Sequence, residues 1–570
     1  MNRNTVGVRR TAALLMMGAF ATASSAAPLC KPLGELDAFW RYSPALGPFH
    51  EVGQALIEIP DYVLKSDFPY AKKPYPREVP FADHLSMVRI LGGFNDGSEE
   101  GEGDPAVRAR DLARRDERGD IRYRMELLEP RLRPYLDCGY SSFTIVLDNV
   151  PWCFPEDPNA VGLGQYEPPR DPKEWHDFIV VFCRELERIL GAEKANQLRF
   201  RVGTENNGLE RFGGTHEEFV RHYDAAAVAV KTVLPGADFG PYNISGANLR
   251  HFPKQNVNAL ALAEHCRTEP NTFNGARGTP FDWVAFSRYY SPDTDVHASA
   301  RGCYQIWEEF ERRFPSLEFS REIHEFDVAP FGEERRGAFV SEEYGALGAA
   351  LTAQMTLRLR EAGIDRLFHW EMADRFRDRR ARMKHLFTGH AWLLSVLERG
   401  VGGESYLLEP LFSSMHRTDH LGFLSVGDDW ALFVFAAYNR KTDVDEMEEV
   451  VFQVPAEVAD LRGMRRSTVV LDRETAVHDR IRDDLAAAGL LVDRFVERPD
   501  RLGGVREMGK GRPAEGLVGD KLETYHQQWI DSLTLQPLEG EAGSIRRTLE
   551  GYTLALNLAP PEVRVIWMER

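Results

Sequence analysis

Leu198-Arg-Phe-Arg-Val202 is a short β-rich run that breaks off into Gly203-Thr204-Glu205-Asn206-Asn207, and a helix-like stretch, Thr215 to Pro235, follows closely. Ser320-Arg-Glu-Ile-His324 repeats the pattern. It runs into Glu325-Phe326-Asp327, and Tyr344 to Ala362 carries apolar residues at helical spacing. Working outward, β-rich runs recur at Met87–Leu91, Phe143–Leu147, Asp238–Gly240, Phe281–Phe286 and Arg366–Trp370, with a further helical pattern at Trp175–Leu190. Strands alternating with helices imply parallel pairing through crossover helices. An eighth run falls at Trp40–Phe49 or at Val52–Ile59. The expected fold is α/β, a (β/α)8 TIM barrel over residues 36–400. A doubly wound open sheet is the structural alternative, but no GxGxxG or GxxxxGK[ST] turn follows any of the runs.

Past residue 400 the texture changes. Trp430–Phe435, Glu449–Val454, Ser467–Leu471, Tyr552–Leu556 and Val563–Trp567 are strand-like with few helices between them, which predicts an antiparallel β-sandwich over residues 401–570. Residues 27–41 are a candidate link between the two domains.

The chain of 570 residues carries a net charge of −18, which argues against nucleic acid as a partner, since phosphate binding needs clustered Lys and Arg. Arg3, Arg9 and Arg10, then the apolar run Thr11–Thr22, then small residues to Ala27, have the layout of a secretory signal peptide over residues 1–26. Arg9-Arg10 hints weakly at twin-arginine export. The expected location is exported, periplasmic or secreted, with no stable membrane insertion. Of the six cysteines, Cys138 and Cys183 read as buried thiols, while Cys266 and Cys303 flank one predicted strand and form a candidate disulfide. Residues 97–104 are acidic and Gly-rich but lack the Glu that a calcium loop of the EF-hand type needs, and read as a solvated loop.

In such a barrel the chemistry sits at the C-terminal strand ends. Strand two ends at Arg89. Strand three runs into Asp148 and Trp152, strand four into Thr204, Glu205 and Asn206. Strand six ends in Ser287, Arg288 and Tyr289, strand seven in Glu325, and strand eight in Trp370 with Asp374 beyond it. Glu205 and Glu325 leave strands that face each other across a barrel mouth. Two carboxyls about 5–5.5 Å apart suit retaining glycoside hydrolysis, one as nucleophile and one as acid and base. Trp152, Tyr289 and Trp370 are expected to stack on sugar faces. Arg288 either binds an anionic group on the sugar or sits in a surface ion pair. No metal or cofactor is expected: there is no HExxH and no His-x-His after a strand.

These motifs, in this order, resemble glycoside hydrolase family 39, the β-xylosidases and α-L-iduronidases. Glu35–Pro44 resembles the family's Phe-Trp-Arg-Ser segment, Val88–Gly92 its strand two, and Phe200–Asn206 its acid/base strand. Ile323-His-Glu-Phe326 takes the place of the nucleophile strand, and His369-Trp370-Glu-Met-Ala-Asp374 is similar to Tyr-Trp-x-x-Ser-Asp. The resemblance implies Glu205 as acid/base and Glu325 as nucleophile. It implies Arg89 and Tyr289 as supports for the nucleophile and Trp370 as a wall of the −1 subsite. The chain departs from the family at Thr204, where an Asn usually holds the sugar 2-hydroxyl, and at Leu91, Asn206 and Ser287. The expected partner is an oligo- or polysaccharide, with an oligomer contact through the sandwich as a further candidate. A non-catalytic carbohydrate-binding or polysaccharide-assembly protein on a degenerate glycosidase barrel is the alternative.

Overall fold

The computed structural model describes residues 29–35, 40–42, 85–93 and 111–570. Within the last span, 138–141, 162–163, 209–210, 246–256, 291–293, 329–343, 370–372, 378–382, 413, 415–416, 442–443, 491–494, 497–504, 507–511 and 539–543 are not described. The predicted leader, the 97–104 loop, Cys138 and Trp370 therefore lie outside the described residues.

Eight strands form an α/β core: β1 Trp40–Tyr42, β2 Leu85–Val88, β3 Ser142–Val146, β4 Arg199–Val202, β5 Asp238–Pro241, β6 Trp283–Tyr290, β7 Ser320–Val328 and β8 Arg366–His369. All pair in parallel. The first stretch proposed for strand one thus contains β1. Hydrogen bonding divides the core into two sheets rather than one continuous ring. One has the order β5-β4-β3-β2. The other runs from the short strand Ile244–Ser245 through β6, β7 and β8 to β1. β1 packs beside β2, and β5 beside β6, so the pair of sheets resembles a (β/α)8 barrel.

Helices cover the outside. α1 is Leu128–Asp137. α2, Pro172–Leu190, starts where Asp171 accepts from the Lys173 N–H and Pro172 fills the first turn. It buries Trp175, Phe178, Ile179, Phe182, Cys183 and Leu186 on one stripe. α3, His216–Val233, begins with a reciprocal capping box between Thr215 and Glu218. α4 is Ala259–Thr268, α5 Val296–Arg313, α6 Ala346–Glu361 and α7 Gly389–Leu397. Cys266 on α4 and Cys303 on α5 are buried free thiols, so the predicted disulfide is absent; the Cys303 sulfur faces the Tyr290 hydroxyl instead, at 4.0 Å.

The remaining sheet structure is antiparallel, and its two larger sheets take all but one of their strands from the chain after α7. β9 Glu404–Leu408, β10 Asp419–Val426, β11 Trp430–Tyr438, β12 Glu448–Pro455, β13 Arg465–Leu471, β14 Gly551–Leu558 and β15 Glu562–Glu569 are its main strands. The larger sheet opens with Cys30–Glu35 at its edge and continues β9-β10-β11-β15-β13 to Gln536–Pro537. The smaller is β12-β14 with Ser544–Arg547. Two helices, α8 Val477–Ala487 and α9 Arg512–Asp531, interrupt the region. β11 is buried on both faces, which is why its sequence is nearly all apolar instead of alternating. Ala431, Phe433 and Phe435 pack with Phe452 and Leu554 of the smaller sheet, while Leu432, Val434 and Ala436 join the main core. α6 contacts β11 on one side and β7 on the other. Buried from Ala346 to Leu359, it has no polar stripe to turn to water.

Candidate active site

The interior of the parallel core is polar. Strand alternation puts Arg199 and Arg201 of β4 on the inward face, with Glu322 and His324 of β7 opposite. Arg199 Nη2 donates to Glu322 Oε1 at 2.6 Å, and Arg366 Nη1 donates to the same oxygen at 3.2 Å. Arg201 Nη1 lies 3.3 Å from His324 Nδ1, and His324 Nε2 lies 2.7 Å from Glu322 Oε2. Because a guanidinium only donates, His324 Nδ1 accepts and the imidazole proton sits on Nε2, facing Glu322. Burial pushes His324 down to about 4, which keeps the ring neutral. Burial alone would raise the Glu322 carboxyl, but Arg199, His324 and Arg366 hold it well below its ordinary range.

This network climbs to the strand ends. Arg201 Nη2 donates to Thr204 Oγ1 at 2.6 Å, Arg89 Nη2 donates to the same oxygen, and Thr204 Oγ1 donates to Asp148 Oδ2 at 2.6 Å. Arg89 also pairs with Asp148 at 2.9 Å. Burial lowers the Arg89 guanidinium to about 10, with Asp148 opposing, so it remains a cation at neutral pH. The Thr204 hydroxyl accepts twice and donates once, which exhausts its capacity. It has no lone pair or proton left for a sugar.

Glu205 stands at the turn after β4. Its φ is +51°, a conformation that a non-glycine residue rarely adopts. Two neighbours hold it there: the Glu205 N–H donates to the Asn243 carbonyl at 3.1 Å, and the Gly208 N–H donates back to the Glu205 carbonyl at 2.8 Å. Gly203, at φ +83°, has no room for a side chain, since a Cβ would overlap Asn206 Oδ1. Asn206 itself donates to the Arg211 carbonyl at 3.1 Å and so pins the loop. Burial raises the Glu205 carboxyl above its ordinary value, and the charge of Glu325 adds to the rise. Arg211 Nη2, donating to Glu205 Oε2 at 2.9 Å, offsets part of it. Asn243 Nδ2 donates to Ser287 Oγ at 2.6 Å, which leaves the Ser287 proton for Glu205.

Glu325 reaches the same site through a bulge. Phe286 of β6 is level with Ile323 of β7, but Ser287 is level with Glu325, so His324 is the extra residue. Regular alternation would put Glu325 on the same face as Ile323, toward the helices. The bulge lets His324 and Glu325 both turn inward. The Tyr289 hydroxyl donates to Glu325 Oε2 at 2.8 Å. Burial and the facing carboxylates push the Tyr289 phenol well up, so it stays a donor.

Arg89, Asp148, Thr204, Glu205, Ser287, Tyr289 and Glu325 are therefore brought together. Arg288 is not. It alternates away from Ser287 and Tyr289, level with Phe326, and its guanidinium lies against α5 beside Gly302 and Cys303. That position corrects its expected role as an anion-binding site residue. Trp152 is buried to 6% exposure, with its backbone N–H held by Asp111 Oδ2 at 2.7 Å, so it offers a sugar little of its ring. Asp374 lies on the hairpin strand Ala373–Arg377, level with Leu386 of Met383–Phe387. Arg201, Arg211 and Asn243 were missed from sequence, although the alternation Arg199-Phe200-Arg201 already places both arginines on one face.

No family model matches the sequence. A solved family 39 β-xylosidase from Caulobacter crescentus superposes with a TM-score of 0.59 at 14% identity, covering 95% of this chain and 98% of that one. A family 39 enzyme from Xanthomonas axonopodis pv. citri gives 0.54 at 12%, covering 95% and 96%. The chain has the glycoside hydrolase family 39 fold. Among curated sequences, an alpha-1,4-L-rhamnosidase of Formosa agariphila is 26% identical over 174 residues, 29% of this chain. The match spans about a third of that relative's length, 34%. Within the family 39 fold, Glu205 and Glu325 occupy the ends of β4 and β7.

Proposed function

We propose that the protein is a retaining glycoside hydrolase acting on an oligo- or polysaccharide, with Glu325 as nucleophile and Glu205 as acid and base. The carrying observation is the buried, electrostatically interacting pair Glu205 and Glu325, the first raised by burial and the second held by Tyr289. Glu325 attacks the anomeric carbon while protonated Glu205 hands its proton to the leaving oxygen. Part of the rise at Glu205 comes from the charge of Glu325. Esterification of Glu325 removes that charge, so Glu205 falls in pKa and becomes the base that activates water. The two parallel sheets would complete a (β/α)8 barrel around this site, with the antiparallel sheets as a sandwich beside it. That sandwich is a candidate oligomer contact.

The saturated Thr204 hydroxyl argues that the sugar 2-hydroxyl is held differently from the family's usual manner. A screen of aryl xylosides, glucosides, iduronides and rhamnosides, with oligo- and polysaccharides beside them, tests the proposal. Product anomers followed by NMR should show retention, and Glu325→Gln should abolish turnover. Inversion, or activity surviving that change, would overturn the assignment. The same Thr204 saturation, with Arg211 tied to Glu205, favours a second reading as a carbohydrate-binding protein without turnover. Glycan binding with no hydrolysis anywhere in the screen would support it. Export through the N-terminal leader is part of the proposal. No helix among the described residues is long and apolar enough to cross a membrane.

A further inference from the structure

Beyond the carboxylate pair, one buried cluster has no part in the proposed hydrolysis. Asp327 ends β7, His369 ends β8 and His390 lies in the first turn of α7, with exposures of 4%, 1% and 0%. One ligand atom from each lies within 4.8 Å of the others. His390 Nε2 is 3.7 Å from Asp327 Oδ1, and His369 Nε2 is 4.0 Å from the same oxygen. Both separations are too long for hydrogen bonds. Two imidazole nitrogens and one carboxylate oxygen around a small common centre suit a first-row divalent ion, with metal–ligand distances of about 2.0–2.2 Å. Tetrahedral ligands at that radius stand roughly 3.3 Å apart, so the two pairs with Asp327 close by less than about 1 Å and the pair of histidines by at most about 1.5 Å.

A second observation points the same way. His390 Nδ1 lies 2.7 Å from Thr352 Oγ1 on α6, whereas His390 Nε2 is buried without a hydrogen-bond partner among the described residues. With a metal ion on Nε2, Nδ1 would carry the ring proton and donate it to Thr352 Oγ1. Metal-bound histidines are oriented in this way by a partner on the far nitrogen. We infer that Asp327, His369 and His390 form a binding site for one divalent transition-metal ion, zinc being the fitting probe, which ties the ends of β7 and β8 to the start of α7. The three residues come from distant points of the chain with no motif spacing, so nothing in the sequence announces the site.

The test uses the full chain, purified without a histidine tag, stripped with chelator and titrated with zinc. Metal analysis should find one equivalent per chain, and zinc at about 100 times Kd should raise Tm by about 2–3 °C. Cobalt in place of zinc should show visible d–d absorption. His390→Asn keeps an amide where Nδ1 lies, facing Thr352, but removes Nε2. It should bind no zinc and show no zinc-dependent Tm shift. Thr352→Val leaves all three ligands and should weaken binding by about 10–100-fold. Absence of stoichiometric zinc in the wild type overturns the inference. So does zinc binding that is the same in wild type, His390→Asn and Thr352→Val. None of these readouts depends on turnover, so a failed glycosidase assignment would leave the metal result intact.

Discussion

Replacing Glu322 with Gln should destabilise the chain by about 3–5 kcal/mol, the usual effect of removing one partner from a buried ion pair. Glu322 is wholly buried, accepts from Arg199 at 2.6 Å and Arg366 at 3.2 Å, and faces His324 Nε2 at 2.7 Å. An amide keeps the volume and one accepting oxygen. Its NH2 group, however, is set against a donor, and among the described residues the Arg199 charge is left with Asp238, 3.5 Å away and half exposed. A Coulomb estimate agrees: unit charges 4 Å apart at an effective dielectric of 20 are worth about 4 kcal/mol. Urea unfolding followed by fluorescence is well suited, because Trp283 lies buried directly under the Arg199 guanidinium, 4.5 Å from its centre. The pH dependence has a definite sign. The Glu322 carboxyl is held below its unfolded value. Its contribution is therefore complete above about pH 4.3 and is lost as pH falls below that. The gap between wild type and variant should narrow in acid. The double change Glu322→Leu with Arg199→Met removes both charges and should cost less than Glu322→Gln alone. A loss under about 1 kcal/mol at pH 7, or a double variant weaker than the single one, would refute the buried-charge argument.

Tyr289→Phe deletes one hydrogen bond to the Glu325 carboxylate, so kcat on a glycoside identified by the screen should fall by roughly 10–100-fold, with the urea midpoint little changed. An unchanged kcat would remove Tyr289 from the site. Arg211→Met takes away a cation that favours ionised Glu205, so Glu205 should rise further and the basic limb of the kcat profile should move to higher pH. A limb that stays put or moves down would contradict the pairing. Burial depresses His324 to about 4 and His222, His390 and His478 to about 3. At these four rings the folded chain binds fewer protons than the unfolded one below about pH 6.5, so their contribution, complete above that value, drains away as pH falls toward 4 and outweighs the opposite effect of the Asp479 carboxyl, which burial pushes up to about 7. Tm should be lower at pH 5 than at pH 7; equal values would show that these rings are not buried as described.

The α/β core was legible because its strands are short apolar runs between amphipathic or apolar helices, each visible in a local window. Asp148, Glu205 and Tyr289 were legible for a second reason, since a strand that ends in polar residues ends where polar residues are useful. Glu325 was picked for its position, yet its orientation was not readable. It depends on one extra residue in β7, and a bulge has no local composition of its own. Arg288 shows the opposite failure: simple alternation along Ser287-Arg288-Tyr289 already turns it away, but its charge drew it toward an anionic ligand. β9 and β10 escaped notice because Glu404, Asp419 and His420 interrupt their apolar pattern and Gly422 lies mid-strand, where Leu408 and Phe435 press too close for a side chain. The Asp327, His369 and His390 cluster depends on tertiary assembly alone.

Cys30–Glu35 closes one edge of the larger antiparallel sheet by pairing with β9, and Lys31 joins Glu361 of α6 and Glu409. That placement limits where the N-terminus can be cut. A cut before Cys30, as the proposed leader would require, leaves this edge covered, whereas a cut a few residues later would strip the strand and bare the backbone of Glu404–Leu408. Uncapped edges of this kind recruit other chains. A tag or protease site added at the N-terminus therefore has to spare Cys30 and everything after it. Trimming the chain at residue 400 to isolate the parallel core would leave the same strand without its partner.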